Sequence, residues 1–288
     1  TSVTRYTLAL ISAPLSRVDP DVHDRPVLKD LGDGVRMPVL GLGVWQMDEG
    51  AETENAVEWA LEAGYRHIDT AQLYRNERSV GAAIRRSGIP REEIFVTTKW
   101  LPTARSAGSA LEQSLERLGM SNVDLYLIHW PVPFRSGRGW RDMEEIVDRG
   151  LARAIGVSNY GDDRLESTVA GARRKPAVNQ VLFTPFHYRR ELLKTCERLG
   201  VVLECYSPLE QGRALDDPTV TAVARRVERT PAQVLLRWGV QRNTVVIPKS
   251  SRRERIVENA QIFDFELGDD DMRTLDALDR TGGTGRAR

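Results

Sequence analysis

From residue 27 onward, short runs rich in β-branched residues alternate with amphipathic stretches, and no other property of the chain restricts its fold so tightly. The runs fall at 40–45 (LGLGVW), 66–69 (RHID), 94–99 (IFVTTK), 123–129 (VDLYLIH), 153–158 (RAIGVS), 177–181 (AVNQV), 201–207 (VVLECYS) and 244–248 (TVVIP), eight in all. Between them, stretches such as AETENAVEWALEAG, SAGSALEQSLERLG and PAQVLLRWGVQ repeat apolar residues every three or four positions, and the first two end at glycine. Strand-helix alternation implies parallel strands. Eight such units between residues 27 and 251, about 225 residues, match a closed (β/α)8 barrel (TIM barrel) of the α/β class better than an open doubly wound sheet. Ahead of the first run, VLKDLGDGVRMPVLGLG sets a Gly-Asp-Gly turn between two extended pieces, a hairpin expected to close the bottom of the barrel. The stretch GLGVW has two glycines and then Trp45, so a dinucleotide-binding Gly-x-Gly-x-x-Gly loop is not formed.

No linker divides residues 27–288, which are expected to form one catalytic domain, whereas 1–26 show no usable periodicity and read as a poorly ordered N-terminal extension. Within that extension, TLALISAPL is too short to span a bilayer. Lysines and arginines number 41 against 41 acids, so no general field favours nucleic acid or an anionic membrane, and any anion must be held by a local site. The two cysteines, Cys196 and Cys205, lack metal-like pairing and suit a reduced compartment. A cytoplasmic monomer without metal, acting on a small molecule, is expected.

In barrels of this kind the chemistry sits at the carboxyl ends of the strands. Those ends carry Trp45, Asp69 with Tyr74 beyond it, Lys99, His129 with Trp130, Ser158 with Asn159, Gln180, Tyr206 with Ser207, and Lys249 with Ser250. Taken singly, Asp69 reads as a helix cap, Lys99 as a surface charge and His129 as a satisfied histidine before a turn. One shared site accounts for the cluster better than separate explanations do. An acid, a phenol, an ammonium and an imidazole around one mouth suit delivery of a proton to a carbonyl oxygen as a hydride reaches its carbon. Tyrosine has an ordinary pKa of about 10. A lysine about 4 Å away favours the phenolate by up to roughly 4 kcal/mol at an effective dielectric of 20, and burial opposes it, so a modest net lowering is expected. Asp69 would hold Lys99 charged and in place, and His129 would donate to the substrate oxygen.

The motifs GYRHIDTAQLYRNE, LYLIHWP, GVSNY, ECYSPL and IPKSSRRERIVEN, in this order, resemble the aldo-keto reductase superfamily, and a bacterial-type aldehyde or diketogluconate reductase in particular, over about residues 27 to 280. The resemblance implies a catalytic tetrad at Asp69, Tyr74, Lys99 and His129, with Tyr74 as general acid, and NADPH as cofactor. It maps Ser158, Asn159 and Gln180 onto the nicotinamide carboxamide, Tyr206 onto the ring face, and Ser207 and Leu209 along the pyrophosphate. It maps Lys249, Ser250 and Arg255 onto the 2′-phosphate, and Glu258 and Asn259 onto the adenine. The chemistry of KSSRRER agrees, because four cations and two hydroxyls at a strand end and helix start favour a phosphate. Trp45 and Trp130 would wall an apolar substrate pocket, with Trp100 and Phe134 as further members. Three positions depart from the family: Val44 replaces a usual threonine, Trp100-Leu101 inverts the usual order, and Glu210 stands where glycine is common. The brief Gly-rich tail TGGTGRAR is expected to leave the pocket open to a broad range of substrates. Two other functions fit the same barrel: a cofactor-sensing regulatory protein without turnover, and a Schiff-base aldolase with Lys99 as nucleophile.

Overall fold

The computed structural model describes residues 27–102, 106–131 and 136–283, so the extension at 1–26 and Phe134 lie outside the described residues. The chain enters through a hairpin of β1 (Leu28–Asp30) and β2 (Arg36–Pro38), paired antiparallel with Leu28 opposite Pro38. Its turn needs three residues with positive φ, Gly32 at 86°, Asp33 at 51° and Gly34 at 74°, a region glycine enters without a Cβ clash and aspartate tolerates. Val35 and Met37 from this hairpin pack with Phe95, Leu125, Leu127, Ala154, Val178 and Val245 in one buried cluster. The hairpin therefore plugs the bottom of the barrel, as its sequence predicts.

Eight parallel strands follow: β3 (Leu42–Gly43), β4 (His67–Asp69), β5 (Phe95–Trp100), β6 (Val123–Ile128), β7 (Ala152–Ser158), β8 (Val178–Leu182), β9 (Val202–Tyr206) and β10 (Val245–Ile247). Each pairs with the next in chain order. The ring closes between the two ends of the sheet, where Leu40 bridges Val246 in parallel and Gly41 N donates to Val246 O at 2.9 Å. This is the (β/α)8 barrel the alternation predicts.

Among the described residues a single α-helix joins each successive pair of strands from β3 to β9: α1 (Ala51–Glu62), α2 (Glu77–Arg86), α3 (Ala107–Leu118), α4 (Ser136–Asp148), α5 (Asp162–Gly171) and α6 (Arg190–Leu199). Between β9 and β10 there are two, α7 (Pro218–Arg226) and α8 (Pro231–Gln241), and α9 (Arg253–Ala260) and α10 (Asp269–Asp276) follow β10. The split between α7 and α8 is local chemistry. Thr230 accepts from Gln233 N while the Gln233 side chain accepts from Thr230 N, and Pro231 occupies the first turn, where its missing N–H costs nothing. Among the described residues no helix is long and apolar enough to cross a membrane.

The two-residue pleat of the strands decides what enters the barrel. On β5, Phe95 joins the bottom cluster and Lys99 reaches Asp69, so these side chains and Thr97 face inward, whereas Val96 and Trp100 join the core between sheet and helices. The same alternation turns His67 and Asp69 of β4, Gln180 of β8 and Glu204 of β9 inward. The interior is thus apolar at its base and polar towards the carboxyl ends. Space for His67 comes from a glycine across the closure: a Cβ at Gly41 would lie 2.5 Å from its Nδ1.

Candidate active site

Lys99 stands at the centre of the polar upper layer and is fully buried. Its ammonium donates to Asp69 Oδ1 at 2.5 Å, to the Thr70 carbonyl at 2.9 Å and to Tyr74 Oη at 3.3 Å. An ammonium has three N–H groups, and here each has a partner. Asp69 Oδ2 accepts from Gln180 Nε2 at 2.8 Å, so both carboxylate oxygens receive N–H donors and the cap role open to Asp69 in the sequence is not taken. His129, at the end of β6, packs edge-on to the Tyr74 ring with centroids 5.6 Å apart. The four residues predicted as one cluster do converge.

Their ionisation follows from burial and one cation. Burial works to lower Lys99, but the charges of Asp69 and Tyr74 outweigh it and hold the ammonium above the ordinary lysine range. His129 is pushed down to about 3 by burial and then by Lys99, so it stays neutral at working pH. For Tyr74 the expected net lowering is not found. Burial pushes the phenol up, Lys99 pulls it down, Asp69 adds to the rise, and the balance is upward. The reason is chiefly burial, which outweighs the pull of Lys99, and Asp69 offsets part of that pull.

A second network fixes the walls. Asn76, fully buried, donates from Nδ2 to the carbonyls of Val44 and Met47 at 2.9 and 3.1 Å and accepts from Thr70 Oγ1 at 2.8 Å. It ties the loop carrying Trp45 to the turn carrying Tyr74. On the opposite side Tyr206 Oη donates to Asn159 Oδ1 at 2.9 Å, and Asn159 Nδ2 donates to the His129 carbonyl at 3.2 Å and to Ser158 Oγ at 3.0 Å. Ser158 Oγ in turn donates to the Gln180 carbonyl at 2.8 Å. Ser158, Asn159, Gln180 and Tyr206 are therefore one hydrogen-bonded unit joined to the tetrad.

Beyond it, Trp45, Ser207, Leu209, Lys249, Ser250, Arg255, Glu258 and Asn259 line one groove of about 360 Å³. The first turn of α9 has no side-chain cap, which leaves backbone N–H groups beside these cations. Arg252 also lines the groove, while Arg253 turns away to pair with Glu62 at 3.1 Å. Asn259 is buried with its Oδ1 lacking a hydrogen-bond partner. Glu258 accepts from Thr230 Oγ1 at 2.7 Å and so also holds the start of α8. Cations at an open helix start suit a phosphate, and an unsatisfied buried amide oxygen suits an N–H donor, so the groove fits a phosphate-bearing ligand with an N–H group.

Trp45 and Trp130 are 41% and 45% exposed at the mouth, joined by Leu73 at 51%. Trp100 is a correction. Because Lys99 faces inward, the next residue faces outward, and Trp100 is buried against α4, where a Cβ on Gly139 would touch its ring at 3.4 Å. It does not wall the pocket. Val44 is likewise buried in the outer core. Three further buried polar residues carry weaker sequence signals: His67 and Glu204 sit inside runs rather than at their ends, and Asn76 lies in the turn before α2.

A family model described as "Aldo/keto reductase family" matches residues 39–280. The glyoxal reductase of Bacillus subtilis is 46% identical over 259 residues, 88% of this chain and 94% of that protein. The 9,11-endoperoxide prostaglandin H2 reductase of Trypanosoma cruzi is 44% identical over 262 residues, 88% of this chain and 93% of that protein. Among solved structures, an aldo-keto reductase from a Medee basin deep-sea metagenome superposes with a TM-score of 0.85 at 38% identity, covering 91% of this chain and 97% of that one. An aldose reductase from Schistosoma japonicum gives 0.83 at 36% identity, covering 87% and 92%. Matched by this family model over most of its length and by relatives more than 40% identical across nearly nine-tenths of it, the chain belongs to the aldo/keto reductase family.

Proposed function

We propose that the chain is an NADPH-dependent reductase of aldehydes, ketones and dicarbonyls, with Tyr74 as the general acid. The observation that carries this reading is the saturated Lys99 ammonium, shared among Asp69, Thr70 and Tyr74. NADPH, held by Lys249, Ser250, Arg255, Glu258 and Asn259 at its adenosine end and by Ser158, Asn159, Gln180, Tyr206, Ser207 and Leu209 towards the tetrad, supplies the hydride when bound. The protein handles the oxygen. His129, kept neutral, offers one N–H to the carbonyl oxygen, and Tyr74 gives its proton to the same oxygen as negative charge builds there.

A raised phenol pKa in the resting protein is compatible with this role. What matters is the charge that appears on Tyr74 as its proton leaves, and Lys99 stands 3.3 Å from that oxygen. At an effective dielectric of 20 such a contact is worth on the order of 5 kcal/mol. The stabilisation is felt mainly as the charge develops, which is where it accelerates the reaction. An aldolase reading needs a free amine lone pair on Lys99, and the three donated N–H groups with a raised pKa leave none.

The exposed Trp45, Leu73 and Trp130 give an apolar, wide mouth, in keeping with a broad substrate range. The two cysteines are free and buried apart, which accords with a reducing cytoplasm, and the chain is read as a monomer there. The test measures NADPH and NADH consumption with methylglyoxal, a nitrobenzaldehyde and a sugar-derived ketone. Wild type is expected to use NADPH better than NADH and to reduce several of the compounds. Tyr74→Phe should lose roughly 10²- to 10⁴-fold in rate while still quenching on NADPH addition. Near-normal rates in Tyr74→Phe would mean that another group is the acid.

A further inference from the structure

A second carboxyl lies in the barrel beside the tetrad, and the proposed chemistry does not use it. Glu204 on β9 is fully buried and faces inward. Its Oε2 accepts from Gln180 Nε2 at 2.9 Å, and the same nitrogen donates to Asp69 Oδ2 at 2.8 Å, so a single amide clasps both carboxyls. Its Oε1 has no hydrogen-bond partner and stands 3.7 Å from His67 Nε2, which is engaged with Thr97 Oγ1 at 3.1 Å. The ionisable and polar groups around it are His67 and Asp69 from β4, Thr97 and Lys99 from β5, Gln180 from β8, and Tyr74 across Lys99. Cys205 is on the outer face of the same strand, paired with Thr244. Within this layer there is one cation for two carboxyls, and its three protons go to Asp69, Thr70 and Tyr74, none to Glu204. A bare carboxylate with one oxygen unpartnered is costly there, and a neutral acid costs much less.

We propose that Glu204 is carried as the neutral carboxylic acid beside the tetrad, a positioning residue whose proton keeps the layer at one cation and one carboxylate, so that Lys99 serves only Asp69 and Tyr74. The effect on catalysis rests on the reading of Tyr74 as the acid. When Glu204 releases its proton to solvent, a second negative charge enters beside Lys99, and the phenol becomes a weaker acid. Burial, then the charge of Asp69, pushes Glu204 up to about 8, with Gln180 and Lys99 opposing. Burial and Lys99 push His67 down to about 3, so the imidazole does not take the proton in its place.

The sign follows from the raised pKa: below about 8 the acid is neutral and reduction runs at its full rate, and above it the rate falls. The test pairs two readouts on wild type and Glu204→Gln, an amide that keeps the shape and the acceptor for Gln180. Infrared difference spectra of the cofactor-free protein should show a buried carboxylic acid C=O band at neutral pH, absent from Glu204→Gln and lost from wild type as pH rises through about 8. Steady-state carbonyl reduction in wild type should fall roughly three- to tenfold through the same range, a step missing from Glu204→Gln. A wild type without that band, or superimposable pH profiles, overturns the proposal. Should Tyr74→Phe retain normal rates, the reading of the acid fails, and the infrared arm still decides the protonation of Glu204. If Glu204→Gln does not fold, Glu204→Met replaces it in both arms.

Discussion

The lower and upper halves of the barrel interior are built from the same strands by the same pleat, yet they are held together in opposite ways. Below, Val35, Met37, Phe95, Leu125, Leu127 and Val245 bury apolar surface, which stabilises the fold without directional demands. Above, His67, Asp69, Lys99, Gln180 and Glu204 take up the same inward positions two or four residues further along or on neighbouring strands, and each needs a specific partner. Desolvating these groups costs stability that their mutual contacts only partly return. The difference separates two duties: the base keeps the ring closed, and the top spends stability on a fixed electrostatic arrangement.

That division is most exposed at Lys99. Replacing it in Lys99→Met leaves the Asp69 carboxylate buried beside Gln180 alone, so a loss of about 3–5 kcal/mol is expected in urea unfolding. Reduction should fall by roughly 10²- to 10⁴-fold as well, since Tyr74 loses its cation. The double variant Lys99→Met/Asp69→Asn should recover part of the stability and none of the rate. No recovery would mean that packing around the lysine stem, not charge, is what Lys99 contributes. In the lower half, Leu125→Ala is expected to cost about 2–5 kcal/mol through the cavity it opens, with turnover per folded molecule at 25 °C unchanged. A rate loss beyond the unfolded fraction would show that the two halves are mechanically coupled.

The halves were also unequally legible in the sequence. The strands could be read because each is a short β-branched run bounded by turn residues, and the observed ends shift by at most one position, except in β3, which loses two residues at each end and shrinks to Leu42–Gly43. Of the α7 and α8 pair, PAQVLLRWGVQ shows the period of α8, and the Thr-Pro signal at 230–231 marks where a helix restarts after α7. Asp69, Tyr74, Lys99 and His129 were legible because they stand at or just past strand ends. His67 and Glu204 were not, although counting back two residues from Asp69 and from Tyr206 places both inside the barrel by alternation. A single step forward from Lys99 turns Trp100 to the outer face and excludes it from the mouth. The sign of the Tyr74 shift is opposite to the lowering expected from sequence, since it depends first on how deeply the phenol is buried and then on how much of the Lys99 field Asp69 offsets.

The smallest expected effect belongs to Glu210, where opposing contributions partly cancel. Its backbone sits at φ 50°, in the left-handed region that glycine occupies at lower cost, so Glu210→Gly relieves about 1–2 kcal/mol of strain. Against this, glycine adds about 0.4–1 kcal/mol of freedom to the unfolded chain. The variant also loses the hydrogen bond from Thr184 Oγ1 at 2.6 Å and the contact with His187 Nδ1 at 2.8 Å, worth about 1 kcal/mol each. Stability should therefore fall by about 0.4–2 kcal/mol. The carboxylate is drawn towards Thr184 and His187, while Leu209, Gln211 and Gly212 on either side line the groove. On this geometry its charge is spoken for, and NADPH affinity measured by fluorescence quenching should change by less than about threefold, equally at low and high salt. A tenfold tightening confined to low salt would instead mean that Glu210 repels the bound phosphates, and that the boundary between structural and functional layers runs through the β9 loop.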